Sequence, residues 1–510
     1  MAHNLVNNAY FQKYIVWQNQ PPFNGWHSWD SHPWKHPWLT RENLSAMKCY
    51  SQIFREKLHK LTENIDTTKF RFGFCGNIAN NLYLRTVPLR KAGMDITNFL
   101  HPQDTYVMSQ PQWEEFDGIL QNGETDINRL IEQGVIMPTV SGVECHPEIN
   151  SAPYTTPANQ LENRPNYLPL IPYLRYGGYL SLTPTLEAIQ IMDALLTMQV
   201  PFMAYLSGRP YITTQMGGDI WIEAARGDQL GALQRESFAN AKAFLVSNPW
   251  SFAHARRYGF RHMIYLPLIL DQNVYSPGEG NTRSEWEASS GGSFFVLTTS
   301  RLDEAVKGSS IALDGVAAFL RAVPEARFVV SGWGKDRNKS EKHLEELGIA
   351  DKVIWLPLSG KARLRDYLRS ADCFIDQFVL GYFGSAGLEA MACGLPMISR
   401  IEHMQYEALC ETGAPPVLNA ENSAEVTQHL IKLAQNSEWK KEISSITRQW
   451  FVANHGSERW IKDYRAMLVA TALNYNFSFE DSPLMASLSH EEREYHANEL
   501  ANAPIFPNYI

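Results

Sequence analysis

Cysteine is scarce in this chain of 510 residues. Cys49, Cys75, Cys145, Cys373, Cys393 and Cys410 are scattered. Their spacing fits neither a disulfide framework nor a zinc site, and several lie in apolar strand-like or helical runs. They read as reduced core residues of a cytoplasmic protein. No run of about 18 apolar residues exists, so no transmembrane helix is expected. The start, Met-Ala-His-Asn-Leu-Val-Asn-Asn, lacks a basic region followed by an apolar stretch, so no secretory signal is expected. A long basic block is absent too. The 45 Lys and Arg against 54 Asp and Glu leave a net charge of −9, which argues against nucleic acid as a partner.

What is present is core material. Hydrophobic residues make up 44% of the chain and charged residues 19%. The length suggests two or more domains. Aromatics crowd the start: Trp17, Trp26, Trp29, Trp34 and Trp38 lie in residues 1 to 40, with His27, His32 and His36 between them. A disordered tail would be poorer in aromatics. The segment either packs on the domain that follows or lines a binding site with its aromatic faces. The histidine spacing is too irregular to predict a metal. Leu44, Met47, Ile53, Phe54, Leu58 and Leu61 then repeat at helical spacing.

Lys69 to Phe74 reads as a strand. It runs into Cys75-Gly76-Asn77-Ile-Ala-Asn-Asn81, a helix through about Lys91, and a strand from Asp95 to Leu100. Such a turn favours an anion or a sugar, or is a plain structural turn. Residues 101 to 175, rich in Pro, Asn and Gln, show no clear strand or helix period and read as insertions. A helix is expected at about 185 to 199, and strands near 202 to 205 and 211 to 214. Asp219, after Gly217-Gly218, either faces a ligand or caps the next helix. A further helix at 229 to 242 and a strand at 243 to 247 follow. Arg256, Arg257, Arg261 and His262 form either a solvated helix end or a contact for anionic lipid. Residues 278 to 292 are polar and glycine-rich, and read as a hinge. The second half alternates strands, near 293–300, 327–331, 352–356, 373–376 and 396–399, with helical stretches. The tail from Asn476 is either a loose end or a surface strap.

Residues 381 to 396 read Gly-Tyr-Phe-Gly-Ser-Ala-Gly-Leu-Glu-Ala-Met-Ala-Cys-Gly-Leu-Pro. Small residues open a helix there, and their free N–H groups and positive dipole end suit an anion. Glu389 lies four residues after Ser385 and shares its face. It either accepts hydroxyls of a sugar attached to a phosphate or merely caps an ordinary helix start. With Phe383-Gly384, Glu389-Ala390-Met391-Ala392, Gly394 and Pro396, the stretch resembles the signature of retaining GT-B glycosyltransferases of family 4, the group 1 glycosyltransferases. Arg301 and Lys307-Gly308 after a strand, and Phe328-Val-Val-Ser-Gly332-Trp-Gly334, match in the same order. The chain departs where the family carries a first Glu, because Gly381 stands there.

The resemblance implies an α/β GT-B fold, with two Rossmann-like domains facing across a cleft. It divides the chain into an extension (1–65), an acceptor-side domain (66–272), a linker (273–292), a nucleotide-sugar domain (293–455), a crossing helix (456–475) and a tail (476–510). It implies transfer of a sugar, with retention, from a UDP- or GDP-linked donor to a glycan or lipid-linked acceptor in polysaccharide or glycoconjugate synthesis. Arg301 and Lys307 would hold the diphosphate with Gly384, Ser385 and Ala386, and Glu389 the ribose. Leu356 and Leu358 would flank the base. Gly332, Gly76 and Asn77 would line the donor cleft, with Asp219 and Gly381 toward the sugar or acceptor. No cofactor is implied. No Asp-x-Asp motif is found, so activity without a metal is expected, in a cytoplasmic setting with peripheral contact at the inner membrane face. The departure at Gly381 leaves two alternatives, a non-catalytic sugar-nucleotide-binding partner and a sugar-nucleotide epimerase.

Overall fold

The computed structural model describes residues 33–99, 106–120, 124–137, 189–198, 201–215, 217–225, 229–486 and 490. Two parallel sheets of six strands organise them. The first joins β1 (Arg71–Cys75), β2 (Asp95–Phe99), β3 (Ala194–Met198), β4 (Tyr211–Thr214), β5 (Phe244–Val246) and β6 (Met263–Tyr265) in the order β2-β1-β3-β4-β5-β6. The second joins β7 (Phe294–Thr298), β8 (Ala326–Ser331), β9 (Val353–Leu356), β10 (Cys373–Ile375), β11 (Met397–Ser399) and β12 (Leu418–Asn419) in the order β12-β11-β10-β7-β8-β9. Both orders are doubly wound. Each sheet reverses direction once, between β1 and β3 and between β7 and β10, and ligands bind beyond the strand ends at such points.

Around the sheets lie α1 (Arg41–Thr62), α2 (Asn81–Lys91), α3 (Lys361–Ser370), α4 (Ser385–Ala392), α5 (Ser437–His455) and α6 (Ser457–Ala472). Thr40 caps α1 by accepting from Asn43 N–H. Leu44, Met47, Phe54 and Leu58 are buried, whereas Ile53 and Leu61, counted in the apolar repeat, face outward. Helix α6 returns to the first half: Trp460, Tyr464 and Met467 share a core with Phe72, Phe74 and Leu196. Among the described residues, no helix is long and apolar enough to cross a membrane.

Four expectations change. Residues 194–198, read as part of a helix, form the buried strand β3 between β1 and β4, and residues 202–205, read as a strand, lie in the helix Pro201–Ser207. A short apolar run has no periodicity to tell strand from helix, and Pro201 suits a helix start. The stretch read as a hinge contains the helix Thr282–Ser290. Its Trp286 is buried against Phe295 and Tyr367, and Asp366 accepts from the N–H groups of Asn281 and Thr282. The basic cluster is divided. Arg261 is exposed, whereas Arg256 is buried over Trp38 and donates to the carbonyls of Leu484 and Ala486, and His262 is partly buried with its Nε2 2.8 Å from the Phe238 carbonyl. The tail as far as 486 is therefore a strap held by Arg256.

Of the aromatic extension, Trp34 and Trp38 are buried in a core with Phe252 and Leu380, which joins residues of both halves. The others, Trp17, Trp26 and Trp29 with His27 and His32, lie outside the described residues, as does much of 101–175.

Candidate functional site

The switch point of the second sheet gathers two loops. The loop after β7 carries Ser300, Arg301, Asp303 and Lys307, and the loop after β10 begins with Asp376. Asp376 is the anchor. Its Oδ1 accepts from Ser300 Oγ at 2.7 Å and Lys307 Nζ at 2.9 Å, and its Oδ2 accepts from Gly384 N–H at 3.2 Å. Burial alone would push this carboxyl up. Lys307, Ser300 and the Gly384 N–H outweigh it and hold the group below the usual aspartate range.

The same contacts aim α4. Gly384 is its N-cap and has no side chain to satisfy the first turn, so the N–H groups after it stay open at that end. A Cβ on Gly384 would lie only 3.8 Å from Lys307 Nζ. An ammonium and an uncapped helix start therefore converge on one point, which is the chemistry of an anion site. Arg301 sits further out. Its side chain is 42% exposed and its Nε is 3.5 Å from Asp303, which also pairs with Lys335 at 3.0 Å. Gly334 closes the loop at φ +117°, where a Cβ would strike the Leu302 backbone at 2.4 Å. Gly332 donates to the Leu356 carbonyl at 3.0 Å and lies beside Arg337 and Trp355.

Glu389 projects from α4 into a buried charge cluster. Its Oε1 is 2.5 Å from Nζ of Lys361, the first residue of α3. Glu114, on the short helix Gln112–Glu115, comes from the other half of the molecule. Its Oε2 accepts from Tyr275 Oη at 2.8 Å. Burial pushes the Glu114 carboxyl up. Lys361 opposes that and the Glu389 charge adds to it. Neither Lys361 nor Glu114 is marked by a local motif. Lys361 follows the Ser359-Gly360 turn at a strand end, and only the tertiary fold brings Glu114 near.

Glu114 arrives on a strap. Leu120 N–H donates to the Leu358 carbonyl at 2.7 Å, and Gly360 N–H to the Gly118 carbonyl at 3.0 Å. Arg365 Nη1 donates to the Glu114 carbonyl at 3.2 Å. Leu358 packs against a small core of Val107, Trp113, Leu120, Ile127, Leu130 and Ile136. Leu356 is buried in the core of the second half.

In the first half, Gly76 ends β1 with φ +85° and donates to the Phe99 carbonyl. The Asn77 side chain is fully engaged. Its amide donates to Asn80 Oδ1 and the Ser109 carbonyl, and its Oδ1 accepts from Tyr83 N–H in the first turn of α2. Asp219 Oδ1 accepts from the N–H groups of Gly217 and Ile220 at 3.0 Å each, the geometry of a turn cap. At Gly381 a Cβ would fall 2.6 Å from Glu402 Cγ and 3.1 Å from Trp34 Cγ. Glu402 and the extension thus fill the space into which a residue-381 side chain would point. Among the described residues, no group of three or more His, Cys, Asp or Glu is placed to hold a metal ion.

Residues 282–450 match the glycosyl transferases group 1 family. A D-inositol 3-phosphate glycosyltransferase of Segniliparus rotundus is 29% identical over 145 residues, 28% of this chain and 29% of its own length. A mannosylfructose-phosphate synthase of Agrobacterium fabrum is 28% identical over 158 residues, 29% of this chain and 35% of its own. The chain thus spans about a third of the length of these curated relatives. The crystal structure of Anabaena Alr3699/HepE in complex with UDP and glucose aligns with a TM-score of 0.54 at 15% identity, over 79% of this chain and 99% of that one. That likeness extends to both sheets, and the fold is GT-B.

Proposed function

We propose that the chain, whose residues 282–450 match the glycosyl transferases group 1 family, transfers a glycosyl group from a nucleotide-activated sugar to a hydroxyl of a glycan or lipid-linked acceptor. The observation that carries this reading is the convergence of Lys307 Nζ on the uncapped start of α4, fixed by Asp376. There Lys307 and the N–H groups of Ser385 and Ala386 would hold the diphosphate, with Arg301 closing over it from the rim. Glu389 would accept the ribose hydroxyls, and Leu356 and Leu358 would flank a uracil or guanine base.

In this reading, the bond from the anomeric carbon to the diphosphate oxygen breaks and a bond to the acceptor oxygen forms on the same face. The acceptor proton passes to the departing phosphate oxygen, and a nucleoside diphosphate leaves. Negative charge grows on the diphosphate as the sugar departs. Lys307, Arg301 and the α4 dipole stabilise that charge without a metal ion. The buried, free cysteines Cys75, Cys373, Cys393 and Cys410 support a cytoplasmic setting. Asn77 is so fully bonded within its own loop that Gly76 is the better candidate for a contact from the first half.

The test is incubation of the purified chain with UDP-, GDP-, ADP- and CMP-sugars and candidate acceptors in EDTA. A new glycoside, identified by mass spectrometry and anomeric NMR, is expected. An isomerised sugar nucleotide would favour the epimerase alternative, and binding without conversion the non-catalytic one. Activity that requires Mn²⁺ would overturn the metal-free account.

A further inference from the structure

Glu114 is only 6% exposed, and its Oε1 meets no hydrogen-bond donor. The other oxygen is pinned by Tyr275. Lys361, whose charge acts on Glu114, is seated on Glu389 instead. Arg365, one turn along α3, also acts on Glu114 but donates to its backbone carbonyl, so of the two carboxylates near the Lys361 ammonium only Glu389 is paired with it. An unpartnered buried carboxylate oxygen is costly, and native structures keep few of them.

We propose that Glu114 is the second seat of Lys361, a positioning residue through which residues 112–120 take part in nucleotide binding. The inference rests on the donor-site reading of Glu389. Lys361 holds the Glu389 oxygen that a ribose hydroxyl would need. When the ribose donates to Glu389, the ammonium loses part of its partner, and an unpaired ammonium at that depth is expensive. The vacant Glu114 Oε1 takes it up. Lys361 directly follows Gly360, which is bonded to Gly118, so both ends of the exchange are fixed to one strap-and-loop contact. The donor site would then be closed by residues from both halves, and its occupancy would be coupled to the docking of the strap.

The experiment is calorimetric titration of the full chain with UDP, GDP, ADP, CDP and inorganic pyrophosphate. Pyrophosphate engages the Lys307 end alone. Glu114→Gln keeps the shape and the acceptor for Tyr275 but removes the charge. It should weaken the tightest nucleoside diphosphate by about tenfold and leave pyrophosphate within about twofold. Glu114→Asp, which restores the charge, should recover part of the loss. In a double-mutant cycle, Glu114→Gln should cost little once Lys361→Met is present. Unchanged nucleotide affinity in Glu114→Gln, an equal loss for pyrophosphate, or multiplying effects in the double variant would each overturn the inference while leaving the donor site standing. If the unaltered chain binds none of the four nucleotides, the donor-site reading falls and takes this inference with it.

Discussion

Lys307 Nζ lies 2.9 Å from Asp376 Oδ1, on a carboxylate whose side chain is wholly buried. The pair binds the loop after β7 to the loop after β10. It also places a cation at the start of α4, so one contact serves both the fold and the proposed chemistry.

Those two roles separate by mutation. Lys307→Met strands a buried carboxylate and should destabilise the chain by about 3–5 kcal/mol. Adding Asp376→Asn should restore most of that stability, because its amide oxygen can accept from the Gly384 N–H while its NH2 donates to Ser300 Oγ. Turnover should stay low in both variants. Urea unfolding and initial rates measure the two effects independently, and a double variant with normal turnover would remove Lys307 from the site.

Glu389→Gln should raise the donor KM by about tenfold and change kcat little, the pattern of a lost contact made equally in ground and transition states. A fall in kcat alone would move Glu389 away from the ribose and toward the reacting sugar.

Acid should unfold the protein through buried histidines first. Burial pushes His262 and His455 down to about 4, while the Phe238 and Leu268 carbonyls accept their N–H groups. Their folded values lie below the ordinary histidine value, so the unfolded chain binds the protons. The stability is full above ~6.5 and is lost as pH falls toward 4. Asp376 acts in the same direction lower down, because its carboxyl is also depressed. Urea midpoints between pH 7 and 4 should fall steeply, and His262→Gln should flatten the slope.

Gly360→Ala tests the strap. A Cβ there would lie 2.1 Å from the Phe116 carbonyl oxygen. The loop must part from residues 116–120, at about 1–3 kcal/mol. Hydrogen exchange should speed up at Leu120 and Gly360, whose N–H groups make the two cross-contacts. Unchanged protection would show that the contact is dispensable.

Arg301, Lys307, Gly334 and the α4 start were legible in the chain because each follows a strand within ten residues. Local spacing alone then puts them at the strand end. Asp376 was legible as the end of a strand, but its bonds to Ser300 and Lys307 cross 76 and 69 positions. Strand β3 was misread because Ala194–Met198 is buried throughout and shows no alternation. The supposed hinge was misread because polar residues conceal one decisive contact, Trp286 on Phe295. At Gly381 the sequence shows only a missing acid, whereas the fold shows Glu402 and Trp34 in its place.

By itself, then, the sequence determined the strand–helix alternation of the second sheet, the loops at its switch point and the small-residue start of α4. Strand propensity, glycine conformation and helix dipoles act over a few residues and are written in order along the chain. The tertiary structure alone decided that Glu114 comes within electrostatic range of Lys361 and Glu389, and that Arg256 holds the tail. Those outcomes depend on which distant groups share a buried volume, where an unpaired charge or donor is costly. No spacing within a single segment encodes that.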